Sequence, residues 1–222
     1  MTTLSTSPAQ FGRDFVLGAR ETLARAADTL GELDRRAGDG DFGTSVRTAL
    51  AGLDREIERA APESWRQWLT SLYRGWLGVG GTSGPLFGML FRELSKAGDD
   101  RQLTLEQLAQ ALADGQAVVQ KYGQAQVGDK TMVDALAPAA AAVGAAIEQR
   151  QEAAQALEAA ERAAVEAAQA TAQGTARRGR ASYVGEASKG VIDPGAAAVA
   201  LILGAARVAA GGQGPVDDSW IG

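Results

Sequence analysis

Apolar residues along this chain recur at spacings of three and four, and nowhere do they alternate for long enough to build a sheet. Phe11, Phe15, Ala19, Leu23, Ala26, Leu30 and Leu33 paint one face of a helix, because 3.6 residues complete a turn. Ala, Leu, Glu, Gln and Arg dominate, and aromatic residues are only 5% of the chain. The spacing predicts an all-α fold with helices at about 8 to 34, 44 to 60, 63 to 78, 84 to 97, 104 to 122, 132 to 148, 151 to 174 and 195 to 211. Pro62, Pro85 and Pro194 fall at or near helix starts, where a missing N–H costs nothing. Pro138 falls deeper and is expected to kink the sixth helix. The segment from Ala135 to Ala172 is alanine-rich enough to pass for low complexity. Alanine is the strongest helix former and lets helices approach closely, so two packed helices with a break near Gln149 to Gln151 are expected.

The connections fall into two kinds. Turns near Ala60 to Glu63, Ala97 to Leu103 and Gln149 to Gln151 are short or bland. The other four read AGDGDFGTS at 37–45, GVGGTSGP at 78–85, YGQAQVGDKTM at 122–132 and ARRGRASYVGEASKGVIDPG at 176–195. Short connections favour an up-and-down antiparallel bundle of eight helices. All four unusual turns precede even-numbered helices and are therefore expected at one rim.

Composition removes several kinds of chemistry. The chain has 222 residues, no histidine and no cysteine, so a thiolate nucleophile, a disulfide framework and an imidazole base or ligand are all excluded. A formal charge of -5 argues against nucleic acid as the main partner. The start, MTTLSTSPAQ, lacks a basic segment followed by an apolar run, and no stretch is long and apolar enough for a membrane span, so a cytoplasmic protein is expected.

Asp34, Asp39 and Asp41 gather within eight residues at the C-terminal end of the first helix, where the helix dipole is already negative. Such a cluster calls for a cation. Oxygen ligands without His or Cys favour Mg²⁺, Mn²⁺ or Ca²⁺. An EF-hand starting at Asp39 would put Leu50 where Glu is needed, which leaves magnesium as the better fit. Arg35 and Arg36 offer the alternative of a solvated turn neutralised from within. GDGDFG formally matches G-x-G-x-x-G, but no strand precedes it and two carboxylates would face a pyrophosphate. No Walker A P-loop occurs either.

The other turns suit anions. Thr82 or Ser83 is placed to cap the fourth helix, with Gly80, Gly81 and Gly84 baring backbone N–H groups. Gly128 with Asp129 or Thr131 caps the sixth, where Lys130 adds positive charge. Asp193 caps the eighth ahead of Pro194 and Gly195. Arg177, Arg178, Arg180 and Lys189 in the last turn are candidates to balance phosphates. Each feature alone is also ordinary capping or a solvated basic loop.

LDRRAGDGDFGTSV, GGTSGPLFGMLF, GDKTMVDALAPA and GRASYVGEASKGVIDPGAAAVALIL, in that order, resemble the L subunit of dihydroxyacetone kinase, DhaL, from about residue 10 to 212. The resemblance implies one domain over residues 1–222, an eight-helix antiparallel barrel whose rim holds ADP or ATP with two Mg²⁺ ions bridged by Asp34, Asp39 and Asp41. It places nucleotide contacts at Phe42, Gly43, Thr44, Ser45, Thr82, Ser83, Gly123, Thr131, Met132, Arg180, Asp193 and Gly195, with Arg180 as the catalytic candidate for transition-state charge. The family usually has His at the position of Phe42 and often Asn at that of Ser45. It also implies partners: a K subunit carrying dihydroxyacetone and a phosphotransferase-system M subunit that recharges bound ADP from phosphoenolpyruvate, with direct use of ATP the second option. Two further readings stay open, a nucleotide-sensing or apolar-ligand module on the same scaffold and a kinase subunit for another short ketose.

Overall fold

The computed structural model describes Leu4 and residues 6–222. Eight α-helices follow in order: α1 Pro8–Ala37, α2 Phe42–Ala60, α3 Trp65–Leu77, α4 Ser83–Leu94, α5 Leu105–Gly123, α6 Met132–Glu148, α7 Ala153–Ala170 and α8 Pro194–Ala209. No strand occurs among the described residues. The fold is therefore all-α, as the periodicity predicts.

Local chemistry sets most of the boundaries. Ser7 caps α1 ahead of Pro8, and Ser64 caps α3 by accepting the Gln67 N–H. Thr104 with Gln107 and Thr131 with Asp134 form reciprocal capping boxes on α5 and α6, each satisfying two orphan donors of a first turn. Asp193 caps α8 directly before Pro194. Pro138 does not stop α6, which runs on to Glu148 with Ala135, Ala139, Val143 and Ala146 buried on one side. Buried packing carries the helix past the bond that the proline cannot make. The alanine-rich stretch does form two helices, α6 and α7. Ala156, Ala160, Ala164 and Ala168 of α7 are fully buried, and the small side chains allow close packing against α6.

Each helix packs on the next in sequence, and α8 closes the ring against α1. Trp76, Phe11, Phe87, Phe91, Leu23 and Leu30 are among the largest side chains fully enclosed by it. Phe11 stacks on Trp65 at 5.4 Å between ring centroids. At the C-terminal end of α8, buried Arg207 pairs with Glu161 and donates to the Pro215 carbonyl at 3.2 Å, while Arg25 pairs with Asp218 at 2.5 Å. The tail is thereby strapped across one end of the ring. The other end is left to the glycine-rich turns.

Candidate functional site

A cavity of about 500 Å³ opens at that other end, lined from all four unusual turns and from the starts of α2, α4, α6 and α8. This volume lies in the range of small-molecule sites. Ring closure puts the turns there. With helices alternating in direction, every connection that enters an even-numbered helix lies on the same rim.

In the acidic turn, Asp34 sits in the last turn of α1, and its Oδ2 accepts the Phe42 N–H at 2.9 Å, which ties the end of α1 to the start of α2. Gly38 makes room for this carboxylate, since a Cβ there would lie 2.6 Å from Asp34 Oδ1. Asp41 occupies the N-cap position of α2 but makes no cap bond. Its Oδ2 instead meets the Arg180 guanidinium at 2.9 Å, and Asp39 pairs with the same guanidinium. Among the described residues no three carboxylate, His or Cys side chains form a ready metal cage. Asp34, Asp39 and Asp41 nevertheless line one cavity, with Asp34 engaged by a backbone N–H and the other two by Arg180. Two neighbouring carboxylates need a counter-charge, and Arg180 supplies it. The donor set suits a hard divalent ion, because the oxygens are carboxylate and the place between Asp39 and Asp41 is one where positive charge is held.

The turn before α4 departs from expectation. Thr82 takes the N-cap position in helical backbone geometry and makes no side-chain cap bond, and Ser83 is already the first helical residue. Neither hydroxyl caps; both line the cavity. Before α6, Thr131 is the cap, accepting the Val133 N–H, while Asp134 accepts the N–H groups of Thr131 at 2.7 Å and Gly128 at 2.6 Å. Asp129 turns elsewhere. It accepts the Gln126 N–H and the Arg178 Nε, and these contacts hold its carboxyl below the usual range. Lys130 does not present its charge to a ligand: it is 3% exposed, and its ammonium points into the protein.

Asp193 caps α8 by accepting the Ala196 N–H at 2.7 Å, and its own N–H donates to Thr171 Oγ1 at 2.8 Å. Burial pushes its carboxyl up to about 7, against the opposing pull of the cap bond. Desolvation wins because the group has no full salt-bridge partner among the described residues.

Of the residues singled out in sequence, Asp34, Asp39, Asp41, Phe42, Thr44, Ser45, Thr82, Ser83, Gly123, Thr131, Met132, Arg180, Asp193 and Gly195 all line this cavity. Gly43 does not. It lies in the seam between α1 and α2, where a Cβ would come within 2.6 Å of the Ala27 carbonyl. The motif reading also missed the apolar wall formed by Val79, Leu86, Phe87 and Val119. Its only sequence signal is helical spacing, with Phe87 one turn beyond Ser83. Phe42 is itself buried and packs on Phe87 at 6.1 Å between ring centroids.

Residues 36–207 match the DAK2 domain. The chain belongs to the DAK2 domain family. It is 39% identical to the PEP-dependent dihydroxyacetone kinase ADP-binding subunit DhaL of Escherichia coli K12, over 82% of this chain and 88% of that one. It is 35% identical to the corresponding DhaL of Listeria innocua, over 82% and 87% of the two chains. A solved structure, the dihydroxyacetone kinase of C. freundii in complex with AMP-PNP and Mg²⁺, superposes with a TM-score of 0.65 at 27% identity. That superposition covers 92% of this chain and only 34% of the C. freundii chain. The DAK2 match takes in Asp39, Asp41 and the turns before α4, α6 and α8, while Asp34 lies just ahead of it. Among the described residues no helix is long and apolar enough to cross a membrane.

Proposed function

We propose that this chain is the nucleotide-holding subunit of a dihydroxyacetone kinase, carrying ADP or ATP with magnesium and passing the γ-phosphate to dihydroxyacetone on a separate K subunit. The observation that carries the reading is the meeting of four aspartates, two arginines and four helix N-termini around a single cavity. The names of the E. coli and Listeria relatives and the AMP-PNP and Mg²⁺ in the C. freundii kinase support the same ligand class. The relatives named PEP-dependent also favour recharging of bound ADP by a phosphotransferase-system M subunit over direct use of ATP.

Asp34, Asp39 and Asp41 are the residues that would hold two magnesium ions. Bound magnesium neutralises charge on the β- and γ-phosphates and so lowers the barrier to transfer. The remaining work falls to the chain. N–H groups at the starts of α2, α4, α6 and α8 provide donors for phosphate oxygens without reorganisation, with Thr44, Ser45, Thr82, Ser83 and Thr131 adding hydroxyls and Met132, Gly123, Asp193 and Gly195 shaping the wall. Phe42, Val79, Leu86 and Phe87 offer an apolar face that excludes water from one side. Arg180, beside Asp39 and Asp41, is the group for the charge that develops on the transferred phosphoryl. With no histidine and no cysteine in the chain, any imidazole or thiolate that captures or deprotonates the acceptor comes from the K subunit.

The test has two parts. Gently purified protein is denatured and its supernatant chromatographed; one equivalent of ADP is expected. Label from γ-phosphate is then followed into dihydroxyacetone, with transfer expected only when the K subunit is present. Absence of any nucleotide binding, or binding that survives loss of both Asp39 and Asp41 carboxylates, defeats the proposal.

A further inference from the structure

The ammonium of Lys130 is held by backbone oxygen. Its Nζ donates to the carbonyls of Ser188 at 2.6 Å, Val191 at 2.7 Å, Thr171 at 2.9 Å and Gly174 at 3.3 Å. No carboxylate among the described residues forms a salt bridge with it, and Asp193 is the neighbouring charge. Burying a cation is costly unless its hydrogens are satisfied, and here four acceptors share three donors. The backbone at Lys130 has φ of +62°, a left-handed conformation that a residue with a Cβ seldom takes. Both features set this lysine apart from a surface charge.

The four carbonyls form the neck of one loop. Thr171 and Gly174 lie where the chain leaves α7, and Ser188 and Val191 lie where it returns toward α8. The same neck is closed by the Gly190 N–H, which donates to the Ala172 carbonyl at 2.8 Å. Beyond the neck the loop carries Arg177, Arg178 and Arg180. Its first side is also fastened to Asp129, whose carbonyl accepts the Arg177 N–H at 3.0 Å and whose carboxylate meets Arg178 at 3.3 Å. The turn between α5 and α6 is thus the mount for the loop that brings Arg180 to Asp39 and Asp41.

We infer that Lys130 is a positioning residue: its buried ammonium clamps the neck of the loop from Gly174 to Val191, and through that clamp it sets Arg180 in the cavity. It acts on the reaction through Arg180 and touches no phosphate. The clamp itself is independent of the proposed function; only its catalytic consequence rests on that reading.

The clamp is tested first in the unaltered protein with ¹⁵N-labelled lysine. At neutral pH a slowly exchanging ammonium signal from Lys130 is expected, while the exposed Lys96, Lys121 and Lys189 exchange too fast to be seen. No protected ammonium would overturn the clamp. Lys130→Met is then compared with Arg180→Ala and the double variant. Amide exchange across residues 174–191 is expected to accelerate at least tenfold in K130M, with exchange in α1 to α5 unchanged. Transfer in the presence of the K subunit should slow as much as in R180A, with nucleotide Kd changed less than threefold, and the double variant should be no slower than R180A alone. Losses that multiply in the double variant overturn the route through Arg180. A tenfold weaker nucleotide Kd with an unchanged loop would make Lys130 a ligand contact instead. If the phosphoryl-transfer reading fails, there is no transfer to compare, yet the ammonium signal and the loop exchange still decide the clamp.

Discussion

Replacing Asp193 with asparagine removes a titrating group while keeping the helix cap, since the two residues cap about equally well. In the wild-type chain burial raises the Asp193 carboxyl from 3.8 to about 7, whereas the unfolded chain returns it to its ordinary value. Between those limits the native state keeps a proton that the unfolded state has released. The stability attached to Asp193 is therefore fully present below the unfolded value and is lost as pH rises through the folded one. At ~1.4 kcal/mol per pKa unit the whole span is worth about 4 kcal/mol, and roughly 3 kcal/mol of it falls between pH 5 and pH 8. The asparagine variant has no such dependence. Urea unfolding of both proteins at pH 5 and pH 8, with nucleotide and magnesium removed, reads the difference directly. D193N should gain on wild type by roughly 3 kcal/mol on going from pH 5 to pH 8, or roughly 6 to 12 °C in melting temperature for a chain of this size. Asp34, Asp134 and Lys130, which also influence Asp193, are present in both proteins, so their own contributions largely cancel in the comparison. A gap between variant and wild type that is the same at both pH values would refute the argument that an uncompensated buried carboxylate sits at the cap of α8.

Asp39→Asn and Asp41→Asn should each weaken magnesium-dependent nucleotide binding at least tenfold by titration calorimetry while changing the melting temperature little, because exposed pairs with Arg180 contribute only about 0 to 1 kcal/mol; loss of fold in place of loss of binding would contradict this. Gly43→Ala should destabilise by about 1 to 3 kcal/mol, since its Cβ would meet backbone of α1 at 2.6 Å in a packed seam that cannot yield. An unchanged melting curve would show that α1 and α2 can separate. Phe42→His exchanges a ring packed on Phe87 for a donor, so it should lower stability by about 1 kcal/mol and tighten magnesium–nucleotide binding severalfold. Weaker binding by the same titration would count against the phosphates lying near residue 42.

Much of this protein is set by its local sequence. Apolar spacing predicts eight helices whose ends fall within a few residues of those observed, because periodicity, capping hydroxyls and first-turn prolines act over a single turn of chain. Thr131, Asp193 and Ser64 are caps for reasons contained in a handful of neighbouring residues. The alternation of bland and glycine-rich turns even placed the site at one rim, since the parity of an up-and-down bundle is a counting rule. Tertiary structure decided the pairings that no local rule reaches. Arg180 neutralises Asp39 and Asp41 because closure of α8 onto α1 brings together segments 139 residues apart in sequence. Thr82 leaves its helix uncapped because Gly84 must pass within contact of Val79, where a Cβ would lie 2.2 Å from the carbonyl oxygen, and that approach fixes the entry of α4. Lys130 reads in sequence as a positive charge for an anion-binding turn and becomes an internal one only when the neck of a distant loop closes over it. Helix formation needs only neighbours. The placement of charge in the cavity waits for the ring to close, because desolvation and ion pairing depend on which distant groups share the same small space.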